Sequence, residues 1–288
     1  MDYPLLSELP PCEETTLASP ISGSLFLRHW PAQGAKRGCA VLAHGIFEHT
    51  GRYHHIAQHF TALGFDVWAA DHFGHGRSPG LRGHILRDDH YVADLGLVVE
   101  HAWRQSGAAP VLLGHSMGGA IAARYAVDNQ DKLRGLILSA PALMVHASPL
   151  YIRVGKVISR LIPAQPMPPN SGLSKPATHN EAWEAWKRND PYKHDVLRFG
   201  TARFVVEAGE YARARAHTLR LPVLILLAEI DTYVNNQGAR LFFQALPPGS
   251  NELHEYPGFF HEVLSEIGRE KPFGEIEAWM RRAGILHD

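Results

Sequence analysis

The 288 residues predict an α/β fold, a mostly parallel sheet with helices on both faces. Three observations carry this. Apolar runs of strand length alternate with helical stretches. The run Val111–Leu113 passes straight into Gly114-His115-Ser116-Met117-Gly118, a tight turn before a helix. The alternation breaks after Ser139-Ala140-Pro141 and resumes at Pro222, which marks an insertion.

The elements follow in order. Met1–Pro20, with prolines at 4, 10, 11 and 20, reads as a loosely held arm. Leu25, Leu27 and Trp30 alternate as a short strand, and Cys39–Ala43 gives a more buried one. His44-Gly45-Ile46-Phe47-Glu48-His49 is the turn that follows. Tyr53 to Leu63 reads as a helix stopped at Gly64. Phe65 to Ala70 is the next strand, and Asp71 to Gly80 the next loop, marked by Gly74, Gly76, Pro79 and Gly80. Asp88 to Gln105 is an amphipathic helix with Val92, Leu95, Val98, Val99 and Ala102 inward. Ala120 to Ala126 are good or tolerable helix formers. Leu136 to Leu138 is a further strand.

Residues 142–220 contain no core strand. Pro163, Pro166, Pro168, Pro169 and Pro176 punctuate a loop between helical stretches. The expectation is a mainly helical lid at 142–220 over a core domain made of 1–141 and 221–288. Val223–Leu227 resumes the sheet. A helix at Gln237–Ala245, a strand at Leu253–Tyr256 and a C-terminal helix ending near Ala283 complete it, with His261 opening that last helix.

Composition narrows the function. Lys+Arg is 28 and Asp+Glu is 29, so there is no basic surplus for nucleic acid. Two cysteines, Cys12 and Cys39, make no disulfide framework and fit a reducing compartment. The first twenty residues carry acids and no base, unlike a signal peptide. No apolar stretch approaches bilayer length. A cytoplasmic location is expected, with peripheral membrane contact left open.

The turn at Ser116 is a G-x-S-x-G pattern between a strand and a helix. Gly114 and Gly118 carry no Cβ to obstruct so tight a turn. The helix N-terminus behind it favours developing negative charge. A serine hydroxyl needs a base beside it and a group that orients that base. In the α/β-hydrolase order these follow as Asp or Glu, then His. Glu229 and Asp231, both after the Val223–Leu227 strand, compete for the first role. Among 19 histidines, His261 follows a Gly-aromatic loop after the last strand, where a base must sit. His254 is its nearest competitor and reads as a strand-face residue. An acyl-transfer site also needs two donors for the oxyanion. The amides of Met117 and Ile46 fill those places. His55 and His59, four apart, read as an exposed helix face rather than zinc ligands. No metal or other cofactor is expected.

With these residues in place, the chain resembles the monoacylglycerol lipase and lysophospholipase branch of the α/β-hydrolases. The matching pieces are H-G-I-F-E-H-T-G-R-Y (44–53), D-H-F-G-H-G-R-S (71–78), G-H-S-M-G-G-A (114–120), A-E-I-D (228–231) and G-F-F-H (258–261), from about residue 20 to the end. The resemblance implies Ser116 as nucleophile, Asp231 as orienter, His261 as base, and Ile46 and Met117 for the oxyanion hole. It implies that Glu48 and Arg52 line the polar end of the acyl pocket. Asp71, His72, Gly74 and Gly76 match a loop read as structural. Leu264 stands where animal members carry a second histidine.

The reading is a serine hydrolase of single-chain acyl esters, with monoacylglycerol cut to fatty acid and glycerol. Lysophospholipase or broad carboxylesterase activity is the close alternative. Epoxide hydrolase or dehalogenase chemistry would need Asp at 116. A proline-type aminopeptidase would want several acids near the pocket. A non-catalytic lipid-binding protein would be expected to have a broken triad. The expected partner is a small-molecule lipid ester. In the lid, Leu150, Val154, Val157, Ile158 and Leu161 form one apolar stripe flanked by Arg153, Lys156 and Arg160. The stripe either docks on a membrane surface or packs on the core and covers the pocket.

Overall fold

The computed structural model describes residues 11–168 and 175–287. Eight strands form one sheet: β1 (Glu13–Ser19), β2 (Gly23–Trp30), β3 (Gly38–Ala43), β4 (Phe65–Ala70), β5 (Val111–His115), β6 (Gly135–Ser139), β7 (Val223–Ala228) and β8 (Glu252–Tyr256). Their order is β1-β2-β4-β3-β5-β6-β7-β8. β1 and β2 pair antiparallel, as do β2 and β4; every pair from β4 to β8 is parallel.

The inner strands are apolar on both faces, as a sheet covered on both sides requires. Period-two alternation sends their side chains into two cores. Leu112, Leu136, Leu138, Val223, Ile225 and Leu227 enter one. Val111, Leu113, Ile137, Leu224, Leu226 and Ala228 enter the other. Each buried leucine or isoleucine contributes roughly 1.5–3 kcal/mol of transfer free energy. Helices α2 (His90–Ser106), α3 (Met117–Asn129) and α7 (Gln237–Gln244) cover the first face; α1 (His54–Ala62) and α8 (Glu270–Arg282) cover the second.

Three further helices lie in the insertion: α4 (Pro149–Leu161), α5 (Glu181–Arg188) and α6 (Phe199–Arg215). α6 packs on α3 and buries Phe204, Ala208 and Ala212 in the first core. α4 opens on Ser148, whose side chain accepts the Tyr151 amide, with Pro149 in its first turn. Its apolar stripe faces outward: Leu150 is 71% and Leu161 78% exposed, and Val154, Val157 and Ile158 are also exposed. Lys156 and Arg160 turn toward Glu210 and Glu207 of α6. The reading in which the stripe packs on the core is therefore overturned.

Three other expectations are corrected. Residues 13–19 are not part of a loose arm; they form β1, and Met1–Pro10 and Pro169 lie outside the described residues. Glu14 meets Arg28 of β2 at 2.8 Å and Arg77 at 2.6 Å. His55 and His59 do not make an exposed face. His55 is buried with Nε2 3.0 Å from Leu264 O, and His59 is half-buried against Phe273 of α8. His261 does not open the last helix. A short 3-10 turn at Val263–Ser265 follows it, and α8 begins at Glu270.

Candidate active site

Ser116 sits between β5 and α3 with φ 53° and ψ −119°, a conformation a non-glycine residue adopts only under constraint. The constraint is close packing. A Cβ on Gly114 would lie 2.4 Å from Gly118 O, and one on Gly118 would lie 2.1 Å from Ala43 O. The Ser116 amide donates to Ser139 O at 3.0 Å, and its carbonyl accepts from Ala142 N at 2.9 Å.

Three side chains from distant parts of the chain meet here. Ser116 Oγ lies 2.9 Å from His261 Nε2, and His261 Nδ1 lies 2.7 Å from Asp231 Oδ2. The other Asp231 oxygen accepts the amides of Tyr233 at 2.8 Å and Val234 at 3.0 Å. Burial would raise the Asp231 pKa. The neighbouring imidazole and these amides outweigh it and hold the carboxyl below its ordinary value. With Asp231 ionised, Nδ1 of His261 donates to it and Nε2 is left to accept from the serine hydroxyl. Glu229, the competing carboxylate, is exposed and accepts the Gly258 amide at 2.8 Å, at the rim of the sheet.

The early loop runs against Ser116. A Cβ on Gly45 would lie 3.2 Å from Ser116 Cβ. Gly45 donates to Glu48 Oε1 at 2.5 Å, and Tyr53 donates to the same oxygen at 2.7 Å. The Ile46 and Met117 amides have no acceptor among the described residues, which leaves both free for a ligand oxygen. Asp71 braces this loop by accepting from the Thr50 amide and hydroxyl and from the Arg77 amide. His72 donates its amide to His44 Nε2 at 2.9 Å, and burial holds His44 neutral. The Asp71–Ser78 loop is thus structural, as its sequence suggested.

Glu48 and Arg52 lie together on a small cavity of about 20 Å³, with His115, Ser139, Trp183, Glu262 and Leu264. That is room for about one water or one hydroxyl. Arg52 Nε is committed to Asp190 at 2.8 Å, and His49 Nε2 meets the same carboxylate at 2.9 Å. Arg52 Nη2 and Ser139 Oγ are buried with no partner among the described residues.

Sequence reasoning missed several neighbours. Tyr233 stacks on His261 at 4.7 Å with 11° between the rings, and His115 lies 4.9 Å from it. Asp190, Trp183, Lys187 and Glu262 also went unnoticed. Each lies far in sequence from the serine, or beside a motif residue with no spacing to mark it.

A mostly parallel eight-stranded sheet, with a serine on the turn after an inner strand, defines a serine hydrolase of the α/β-hydrolase class. The chain belongs to the family described as "Serine aminopeptidase, S33", whose model matches residues 34–268. It is similar to a monoacylglycerol lipase of Mycolicibacterium smegmatis, 34% identical over 87% of this chain and 90% of that protein. The monoglyceride lipase of Homo sapiens is 29% identical over 89% of this chain and 86% of its own. The crystal structure of Paleococcus ferrophilus monoacylglycerol lipase matches with a TM-score of 0.81 at 28% identity, covering 90% of this chain and 99% of that one. The chain is accordingly a serine ester hydrolase of monoacylglycerol-lipase-like type. No helix among the described residues is long and apolar enough to cross a membrane.

Proposed function

We propose that this enzyme hydrolyses monoacylglycerol to fatty acid and glycerol through an acyl-enzyme intermediate. The observation that carries the reading is the hydrogen-bonded chain Ser116 Oγ, His261, Asp231 beside two free amides. Ser116 attacks the ester carbonyl while His261 Nε2 takes its proton. The carbonyl oxygen becomes an oxyanion and is held by the Ile46 and Met117 amides. Collapse expels the glycerol alkoxide, which takes the proton from His261. Water then attacks the acyl-enzyme with His261 again as base, and the fatty acid leaves. Asp231 orients the imidazole and stabilises its charged form.

The head group distinguishes monoacylglycerol from lysophospholipid. Glu48 and Glu262 both line the small cavity that His115, the residue before the serine, also lines, and Arg52 Nη2 is a buried donor with no partner among the described residues. An alcohol hydroxyl fits that volume and can donate and accept. A phosphate is too large for it and would face the Glu48 carboxylate. The aminopeptidase reading suggested by the family's description has less support. The Glu48 oxygen nearest the serine loop is already taken by Gly45 and Tyr53.

The test compares a monoacylglycerol and a lysophosphatidylcholine of the same acyl chain, below their aggregation limits. The monoacylglycerol should have the higher kcat/KM. A phospholipid preference of tenfold or more, about 1.4 kcal/mol in transition-state binding, would establish the lysophospholipase alternative instead.

Residues 142–220 form the proposed lid, with α6 its stalk on the core and α4 its lipid-facing edge. The exposed stripe on α4, with Arg153 at its flank, suits contact with a lipid surface. Leu150→Glu combined with Ile158→Glu should lower partitioning to vesicles at least about tenfold, since each loses about 1.5 kcal/mol or more of apolar burial. Activity on a short soluble ester should be spared. Unchanged partitioning of the folded double variant would exclude docking through this face.

A further inference from the structure

Two carboxylates that the hydrolytic steps leave idle fasten the loop carrying His261 to the insertion. Glu262 follows His261 directly. Its Oε1 accepts from the Lys187 ammonium at 2.6 Å and its Oε2 from Trp183 Nε1 at 2.5 Å. Its amide donates to Ala177 O at 2.8 Å. Lys187 also donates to Glu184 Oε1 at 2.8 Å, and that oxygen accepts the Ala177 amide at 2.9 Å. Glu266 is buried. It accepts from the Thr178 hydroxyl at 2.9 Å and the His179 amide at 2.8 Å, and its second oxygen takes the Phe260 amide at 3.2 Å. The Phe260 ring stacks on His179 at 3.8 Å. The Tyr233 hydroxyl donates to Lys175 O. The segment 175–187 therefore grips the base loop on both sides of His261.

The two halves of the insertion behave differently. α4 turns its apolar stripe to solvent, whereas α5 turns Trp183 and Lys187 to the base loop. Replacing a buried ion pair by apolar residues is often neutral or stabilising, so stability alone does not account for a pair at this position. What the pair supplies is a fixed location and a balanced charge beside the imidazole. Burial would raise the Glu262 carboxyl, but the charge and hydrogen bond of Lys187 hold it below its ordinary value. Its field reaches the flanking rings, since burial and then the Glu262 charge push the Tyr233 hydroxyl up.

We propose that Lys187 and Glu262 are positioning residues for the catalytic base. Their ion pair ties α5 to the residue after His261 and holds the imidazole in line between Ser116 and Asp231. This rests on His261 being the base. It makes α5 part of the catalytic support and leaves α4 as the portion of the insertion that meets lipid. The charged and titratable groups around His261 are Asp231 and Tyr233 from the turn after β7, His115 from β5, Glu48 and Arg52 from the early loop, Glu262, and Lys187 from α5.

The test uses the full chain and a short soluble ester, p-nitrophenyl butyrate, with melting temperatures measured alongside. Lys187→Met should lower kcat at least tenfold with KM within twofold, and Lys187→Arg should recover most of the loss. The two single-charge losses should move the acid limb of kcat/KM in opposite directions. Lys187→Met leaves Glu262 unbalanced, which favours the imidazolium and moves the limb up. Glu262→Gln leaves Lys187 unbalanced and moves it down. Shifts of about half a pH unit or more are expected for charges this close. Glu262→Gln is nearly isosteric and keeps an acceptor for Trp183, so it remains readable if Lys187→Met does not fold. Limbs that stay put or move the same way, or a kcat within twofold of the parent in both variants, would overturn the proposal. If the parent hydrolyses the ester and His261→Ala does not, the base assignment stands and these variants judge the positioning role alone. A parent that neither hydrolyses the ester nor reacts at Ser116 with a fluorophosphonate would defeat the proposed function instead.

Discussion

Ser116→Ala is expected to abolish fluorophosphonate labelling and to lower ester turnover by about a millionfold, the loss seen when the serine or the histidine of a serine triad is removed. The size follows from the site. Water is the only nucleophile left, and it lacks the fixed approach that the turn imposes on Oγ. That approach depends on a φ of 53° held by contacts too close for any side chain at Gly114 or Gly118. His261→Ala should cost about as much, because serine and base act as a unit. The Ile46 and Met117 amides remain in both variants, so a small residual rate above the uncatalysed reaction should survive. Both proteins should melt close to the parent. Labelling that persists in Ser116→Ala would place the nucleophile elsewhere.

Much of this site was legible in the sequence because its chemistry sits at strand ends. Val111–Leu113 and Val223–Leu227 are short unbroken apolar runs, the pattern of a strand covered on both faces. The residues just past such runs fall at one edge of a parallel sheet, so Ser116, Asp231 and His261 converge by topology. What stayed illegible depends on packing between distant segments. The polar sequence of β1 carries no apolar alternation, and its acids found partners in Arg28 and Arg77. His55 gave no sign that α8 and the base loop would cover it. The α4 stripe looked the same whether buried or exposed, because an amphipathic period fixes a face and not what lies against it. Lys187 and Glu262 are 75 residues apart, and no motif or spacing in the sequence links them. Only the fold brings them together.

The choice between the two carboxylates gives the second large effect. Asp231→Asn should lower kcat by about ten thousandfold, by analogy with the same change in a protease triad. The hydrogen bonds of Asp231 say why the substitution cannot be accommodated by turning the amide over. One oxygen accepts two backbone amides, from Tyr233 and Val234, so the oxygen of an asparagine must stay on that side. Its NH2 group is then forced into the place that faces His261 Nδ1, 2.7 Å away in the parent. Two donors cannot share that contact, so the imidazole must carry its proton on Nε2. A protonated Nε2 cannot accept from the Ser116 hydroxyl, and the nucleophile loses its base while every residue stays in place. Glu229→Gln should behave differently. Glu229 is exposed, and a glutamine oxygen can still accept the Gly258 amide. Its kcat should stay within about twofold of the parent, the scale of an ordinary surface change of roughly 0.5 kcal/mol. Both variants can be measured on one soluble ester across neutral pH, with the reactive serine titrated by fluorophosphonate. Near-parental turnover in Asp231→Asn together with loss in Glu229→Gln would move the orienting role to Glu229.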